Sequence, residues 1–156
     1  MSESCPTTPK AHISAADQGL FIQLDGGEML FKVFADETNR AFEMFERIVP
    51  PQTLAAGAHL HTTTTETFYV VEGTPTFLVG EQRQQYGPGS VIVIPPNTVH
   101  GYSNETDQRI KVLISFAPAL GHDLFFKELA QLQAGPRDHY DEKVAELRAR
   151  YGSRAV

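Results

Sequence analysis

Short apolar runs recur at intervals of about eight to twelve residues along most of this chain, divided by Gly, Pro and Asn, and that rhythm confines it to an all-β sandwich or barrel. Asp25-Gly26-Gly27 separates Phe21-Ile22-Gln23-Leu24 from Met29-Leu30-Phe31-Lys32-Val33-Phe34, which predicts a hairpin. Further strands are expected over Ala41 to Val49, Glu66 to Val71, Thr76 to Val79 and Val91 to Ile94, the last entered through the turn Tyr86-Gly87-Pro88-Gly89. The alternation is cleanest from Arg109 to Phe116. Ile110, Val112, Ile114 and Phe116 share one face and Arg109, Lys111 and Ser115 the other, as in a half-buried antiparallel strand.

After Pro118 the period changes. Leu120, Leu124, Phe125 and Leu129 recur at helical spacing, as do Tyr140, Val144, Leu147 and Tyr151. Two C-terminal helices are expected, broken at Gly135-Pro136, with Asp138 as N-cap of the second and their apolar stripes covering a barrel face. The expected organisation is an N-terminal arm over residues 1–18, a barrel over 19–118 and helices over 119–156. A chain of 156 residues suits one domain that buries about 70% of its unfolded surface.

Four residues in the strand region stand at metal-ligand spacing. His59 and His61 are two apart, so on an extended strand both imidazoles leave the same face. A hairpin through Thr62 to Thr65 would bring the Glu66 carboxylate alongside them. His100, after the turn Pro95-Pro96-Asn97, opens another extended piece that closes the site. Three imidazoles and a carboxylate suit Fe, Mn, Ni, Cu or Zn better than Mg or Ca, which prefer all-oxygen shells. A single histidine facing a core is usually a packing residue, but four convergent ionisable groups are costly to bury without an ion. His12, His122 and His139 have no such company and are read as surface residues.

The same residues carry a family resemblance. The two cupin motifs can be written G-x5-H-x-H-x3-4-E-x6-G and G-x5-P-x-G-x2-H-x3-N. This sequence resembles the first through His59, His61, Glu66 and Gly73, and the second through Gly89, Pro95, His100 and Asn104. Thr53 stands where the first motif opens on glycine, and Asn97 replaces the middle glycine of the second, a position whose left-handed conformation Asn tolerates. The resemblance covers residues 53 to 104 by motif and extends to about residue 118 by strand pattern. It implies a small single-domain cupin, a double-stranded β-helix (jelly-roll) barrel, with His59, His61, Glu66 and His100 holding one divalent transition metal per chain.

Composition narrows the partners. A net charge of −6 without a Lys/Arg cluster argues against nucleic acid and anionic membrane. No apolar stretch is long enough to cross a membrane, and Met1 to Pro6 lack the features of a signal peptide. Cys5 is the single cysteine, so no internal disulfide can form. A cytoplasmic protein with a small-molecule substrate is expected.

Strand parity predicts the cavity lining. Phe68 and Val70 share the parity of Glu66, and Tyr102 that of His100, which implies an apolar or aromatic ligand. In the preceding strand Phe42, Met44 and Ile48 are read as an inward face, which makes Glu46 an inward carboxylate and a candidate general base. Tyr69 and Val71 then point outward, beside apolar residues of the N-terminal strands, and predict a homodimer. Resemblance to quercetinase-like cupin dioxygenases implies an oxygenase of secondary or catabolic metabolism acting on a small aromatic, phenolic or enolic compound. Glu66 would complete the metal shell or take the substrate hydroxyl proton. Small cupins also include redox-neutral cyclases and isomerases, in which Zn acts as a Lewis acid on a polyketone, and modules that bind without turnover. All three share the ligand set, so the residues leave them open.

Overall fold

The computed structural model describes residues 10–156; the first half of the expected N-terminal arm, with Cys5, lies outside the described residues. Strands β1 (Leu20–Leu24) and β2 (Gly27–Val33) form the hairpin expected at Asp25-Gly26-Gly27. A 3₁₀ turn over Ala35–Thr38 leads to β3 (Glu43–Val49), β4 (Thr53–His61), β5 (Thr65–Glu72), β6 (Thr76–Val79), β7 (Gln82–Gln85), β8 (Val91–Ile94), β9 (His100–Asn104) and β10 (Ile110–Ala117). Two antiparallel sheets result, one in the order β1-β2-β3-β10-β5-β8. The other runs β11-β4-β9-β6-β7, where β11 is Ser153–Ala155.

From β3 to β6 each connection crosses from one sheet to the other, and so do those from β7 to β10. This is the winding of a double-stranded β-helix. It corrects one expectation, because β4 and β5 lie in opposite sheets and Thr62 to Thr65 is a crossover rather than a hairpin. The four-threonine segment carries Glu66 across the sandwich to face the histidines.

The interior is aromatic. Phe31 stacks on Phe45 with centroids 4.7 Å apart, and Phe77 on Tyr102 at 5.5 Å, with Phe68 edge-on to Phe77 at 5.0 Å. Such offset and edge-to-face pairs add to the stabilisation that apolar burial provides. Ile110, Val112, Ile114 and Phe116 are all buried, as the alternation on β10 requires.

Helices α1 (His122–Ala134) and α2 (Tyr140–Arg150) follow, divided at Gly135. No described helix is long and apolar enough to cross a membrane. The N-cap of α2 is His139, with a φ of 54°, rather than Asp138. Arg137 accounts for the shift: it pairs with Asp25 at 3.0 Å and lies 4.4 Å over the Tyr140 ring, so the intervening residues are held as a turn before the helix starts. After α2 the chain returns to extended form. β11 pairs with β4 through Ser153–His61 and Ala155–His59, so the C-terminal segment ends in a strand beside the histidines. The polar strand β7 and this short β11 carry no apolar alternation and had no signal in the sequence.

Candidate metal centre

His59 and His61 leave the inner face of β4, and His100 sits opposite His59 in the β4–β9 register. Glu66 reaches them from β5 in the facing sheet. Its Oε2 lies 3.1 Å from His61 Nε2 and 2.7 Å from His100 Nε2. The His59 and His100 rings are 4.3 Å apart between centroids, and one ligand atom from each of the four residues falls within 4.8 Å of the others. Asn97, with a φ of 64°, makes the left-handed turn expected of it, and its N–H donates to His61 O at 2.7 Å, tying the β8–β9 turn to the site. Asn104 is fully buried and donates to Val49 O, Pro50 O and Gln108 O, which holds the far end of β9.

The local hydrogen bonds orient the rings as metal ligands. His59 Nδ1 lies 2.8 Å from Gly57 O, and His100 Nδ1 lies 2.9 Å from Thr98 O. A carbonyl only accepts, so each Nδ1 carries a proton; His59 Nε2 is left with a lone pair, while His100 Nε2 donates to Glu66 Oε2 and would give up that proton to an ion. Burial lowers the His59 pKa to about 4, against the opposing charge of Glu66, so that ring is neutral at pH 7. Burial would also lower His100, but the hydrogen bond and charge of Glu66 outweigh it and raise its pKa. Burial would raise Glu66, yet the bonds from His100 and His61 hold it well below the usual carboxylate range. An ionised carboxylate among imidazoles whose Nε2 atoms converge is a donor set that fits a borderline transition metal, and His61, His59, His100 and Glu66 could hold one ion.

The cluster opens on a cavity of about 680 Å³, within the range of small-molecule sites. Barrel residues Met29, Phe45, Tyr102, Ile114 and Phe116 form part of its wall. The helices form much of the rest, through Phe125, Phe126 and Leu129 of α1 and Tyr140, Val144 and Arg148 of α2. Burial raises the Tyr102 hydroxyl pKa to about 12, so it stays a neutral donor.

Tyr102 lines this cavity as expected, whereas Phe68 and Val70 are buried in the barrel core and do not reach it. The parity expected for β3 is reversed. Glu43, Phe45, Arg47 and Val49 point inward, Met44 and Glu46 sit on the outer face, and Phe42 is exposed before the strand begins. Glu46 is no buried base: it pairs with Lys111 of β10 at 2.9 Å on that outer face. Two charged residues on the inward face defeated a reading by hydrophobicity, and only the pairing of β3 with β10 reveals it.

His122, read as a surface residue, is 2% exposed. It stacks on Phe116 at 4.0 Å, its Nδ1 bonds Glu43 Oε1, and it borders the same cavity. Its Nε2 is buried with no hydrogen-bond partner among the described residues. His12 and His139 do lie at the surface, paired with Glu37 and Glu142.

The family model for the cupin domain matches residues 45–116, the stretch that carries all four converging side chains. Residues 45–116 form a cupin domain. Among curated proteins, the chain is 46% identical over 44 residues to quercetin 2,3-dioxygenase of Bacillus subtilis, a match that spans 28% of this chain and 13% of that enzyme. Among solved structures it resembles an RmlC-like cupin of Shewanella frigidimarina with a TM-score of 0.61 and 20% identity, over 71% of this chain and 94% of the other. It also resembles a Streptomyces protein solved with uridine and described as a nucleoside dehydratase. That TM-score is 0.59 with 18% identity, over 73% and 87% of the two chains. At these identities the structural likeness is one of fold.

Proposed function

We propose that this cupin is a metal-dependent oxidoreductase, a dioxygenase acting on a small aromatic, phenolic or enolic compound. The observation that carries the reading is the convergence of three imidazoles and one carboxylate, of which His59, His61 and Glu66 stand on the wall of an apolar, aromatic-lined cavity. One Fe, Mn, Ni, Cu or Zn ion per chain, held by His59, His61, Glu66 and His100, would supply Lewis acidity and, for the redox-active metals, electron transfer to O2. The aromatic wall orients a planar substrate and excludes water. Both imidazole bonds to Glu66 fall on Oε2, so Oε1 is the oxygen that takes a phenol or enol proton. The short match to quercetin 2,3-dioxygenase supports this reaction class.

A second reading, a redox-neutral cyclase, isomerase or dehydratase, is favoured by His122. With Nδ1 held by Glu43 and Nε2 unpartnered at the cavity, it can accept or return a substrate proton. Metal analysis of protein purified without added metal, with an O2-uptake screen over phenolic and enolic compounds, separates the two. Iron, manganese, nickel or copper with uptake supports the dioxygenase. Zinc without uptake supports the redox-neutral enzyme, and ligand binding without turnover of any kind supports a binding module. We further propose a cytoplasmic homodimer, joined through the outer faces of β5 and β8.

A further inference from the structure

Arg47 is 4% exposed and stands in the cavity wall on β3, yet it pairs with no carboxylate among the described residues. The arginines that do pair, Arg83, Arg109, Arg137 and Arg150, are at the surface, where an ion pair contributes little. Stability alone would favour the opposite arrangement, because a buried guanidinium without a counter-charge is costly. Its Nη1 donates to Gly27 O at 2.9 Å, and the β1–β2 turn closes so tightly over Nη2 that a Cβ on Gly26 would come within 3.0 Å of it. The turn shields the guanidinium on one side and Tyr102 lies beside it. Arg47 and Tyr102 both line the cavity. Of the other charged residues in the wall, Asp25, Asp141, Arg148 and Arg154 are exposed or partly exposed, and Asp25 is already paired with Arg137. Glu66 is committed to the imidazoles.

We propose that Arg47 is an anion subsite that takes the carboxylate of a small aromatic or enolic monocarboxylic acid, an inference that rests on the reading of this cavity as a substrate site. The planar guanidinium fork matches a carboxylate through two parallel N–H···O bonds. One buried positive charge balances one negative charge, whereas a phosphate dianion would leave an uncompensated charge against an apolar wall. Tyr102 and His100 are two residues apart on one face of β9, about 7 Å along the strand. A ligand anchored at Arg47 therefore presents its far end to the metal ligands across the length of one ring, with Phe45 and Met29 against its body.

Calorimetric titration of the metal-free protein with benzoate and with benzamide tests this, since the two share a ring and differ in charge, and no ion is present for the carboxylate to ligate. The wild type is expected to bind benzoate at least about tenfold more tightly than benzamide. Arg47→Met is expected to lose that preference, and Arg47→Lys, which keeps the charge without the fork, to fall between. Equal binding of the two compounds, binding of neither, or a preference that survives in Arg47→Met overturns the subsite. Should Arg47→Met not fold, undiminished benzoate affinity in Arg47→Lys overturns it instead. Zinc titration of the wild type keeps the two readings apart: a benzoate preference that depends on Arg47 in a protein that takes up no zinc overturns the metal site and leaves the anion subsite standing.

Discussion

Glu43 and His122, 79 residues apart in the chain, meet in one fully buried unit. Glu43 accepts from His122 Nδ1, from His122 N at 3.0 Å and from Leu120 N at 3.2 Å. A carboxylate from the barrel wall thus satisfies the free N–H groups where α1 begins, a terminus whose own N-cap, Gly121, has no side chain to do so. It ties the start of α1 to the barrel wall and holds His122 by Nδ1, leaving Nε2 as the nitrogen without a partner among the described residues.

Glu43→Ala strands three donors, two of them buried, and is expected to destabilise the protein by roughly 3–5 kcal/mol, as when one partner of a buried pair is removed. Zinc stoichiometry should be unchanged, because the hydrogen bonds of Glu43 go to Leu120 and His122 and to none of the four clustered residues. Urea denaturation measures the loss, and a change below about 1 kcal/mol would mean that α1 is anchored by other contacts.

His59→Ala or His61→Ala is expected to reduce bound metal to well below one ion per chain while leaving a cooperative fold. The core is built from the apolar faces of the strands, with Phe31, Phe45, Phe68 and Phe77 buried at its centre. Elemental analysis beside circular dichroism checks both halves. Full metal occupancy in the double variant would sink the ligand assignment.

Glu66→Gln keeps the shape of the side chain and removes its charge and basic oxygen. If Glu66 takes the substrate proton, most of the metal is retained and turnover falls by roughly 10²–10⁴-fold, the usual contribution of a general base. Unchanged turnover would transfer that role to His122, and His122→Gln would then show the loss.

The metal-free protein is expected to be most stable near pH 6.5. His59 titrates at about 4 in the fold against 6.5 ordinarily, so between those values the unfolded chain binds more protons and stability rises with pH. Glu66, held low, acts in the same direction: its contribution is present above its ordinary 4.5 and is lost as pH falls. His100 is raised, so its contribution is complete below 6.5 and fades as pH climbs through its folded value. Each proton of difference is worth up to about 1.4 kcal/mol per pH unit. With zinc bound the alkaline decline should vanish, because coordination requires the neutral ring. Denaturation curves at pH 5, 6.5 and 8 with and without zinc decide it, and a metal-free profile flat across that range would contradict the assigned environments.

Val71→Glu is expected to shift the proposed dimer towards monomer in sedimentation. Tyr69 and Val71 are exposed on β5, and Val91, directly opposite Tyr69, and Val93 are exposed on the edge strand β8. This apolar face adjoins β8 and β10 rather than the N-terminal strands, which lie at the other edge of the sheet. A wild type that sediments as a monomer at micromolar concentration would end the proposal.

The sequence by itself determined what depends on the local backbone: alternation on β10, the hairpin at Gly26-Gly27, the left-handed turn at Asn97 and the shared face of His59 and His61. Those follow from the two-residue period of an extended strand and from the few residues that accept a positive φ. The tertiary structure decided which face was inside wherever charge and burial disagreed. Glu43 and Arg47 point inward because α1 and the β1–β2 turn, distant in the chain, supply their hydrogen-bond partners, and no local pattern encodes a partner 79 residues away. The same holds for the sheet that β5 joins, for β11 beside the histidines and for helices that become a cavity wall. Each is set by long-range pairing, which is paid for by contacts that the chain makes only once it is folded.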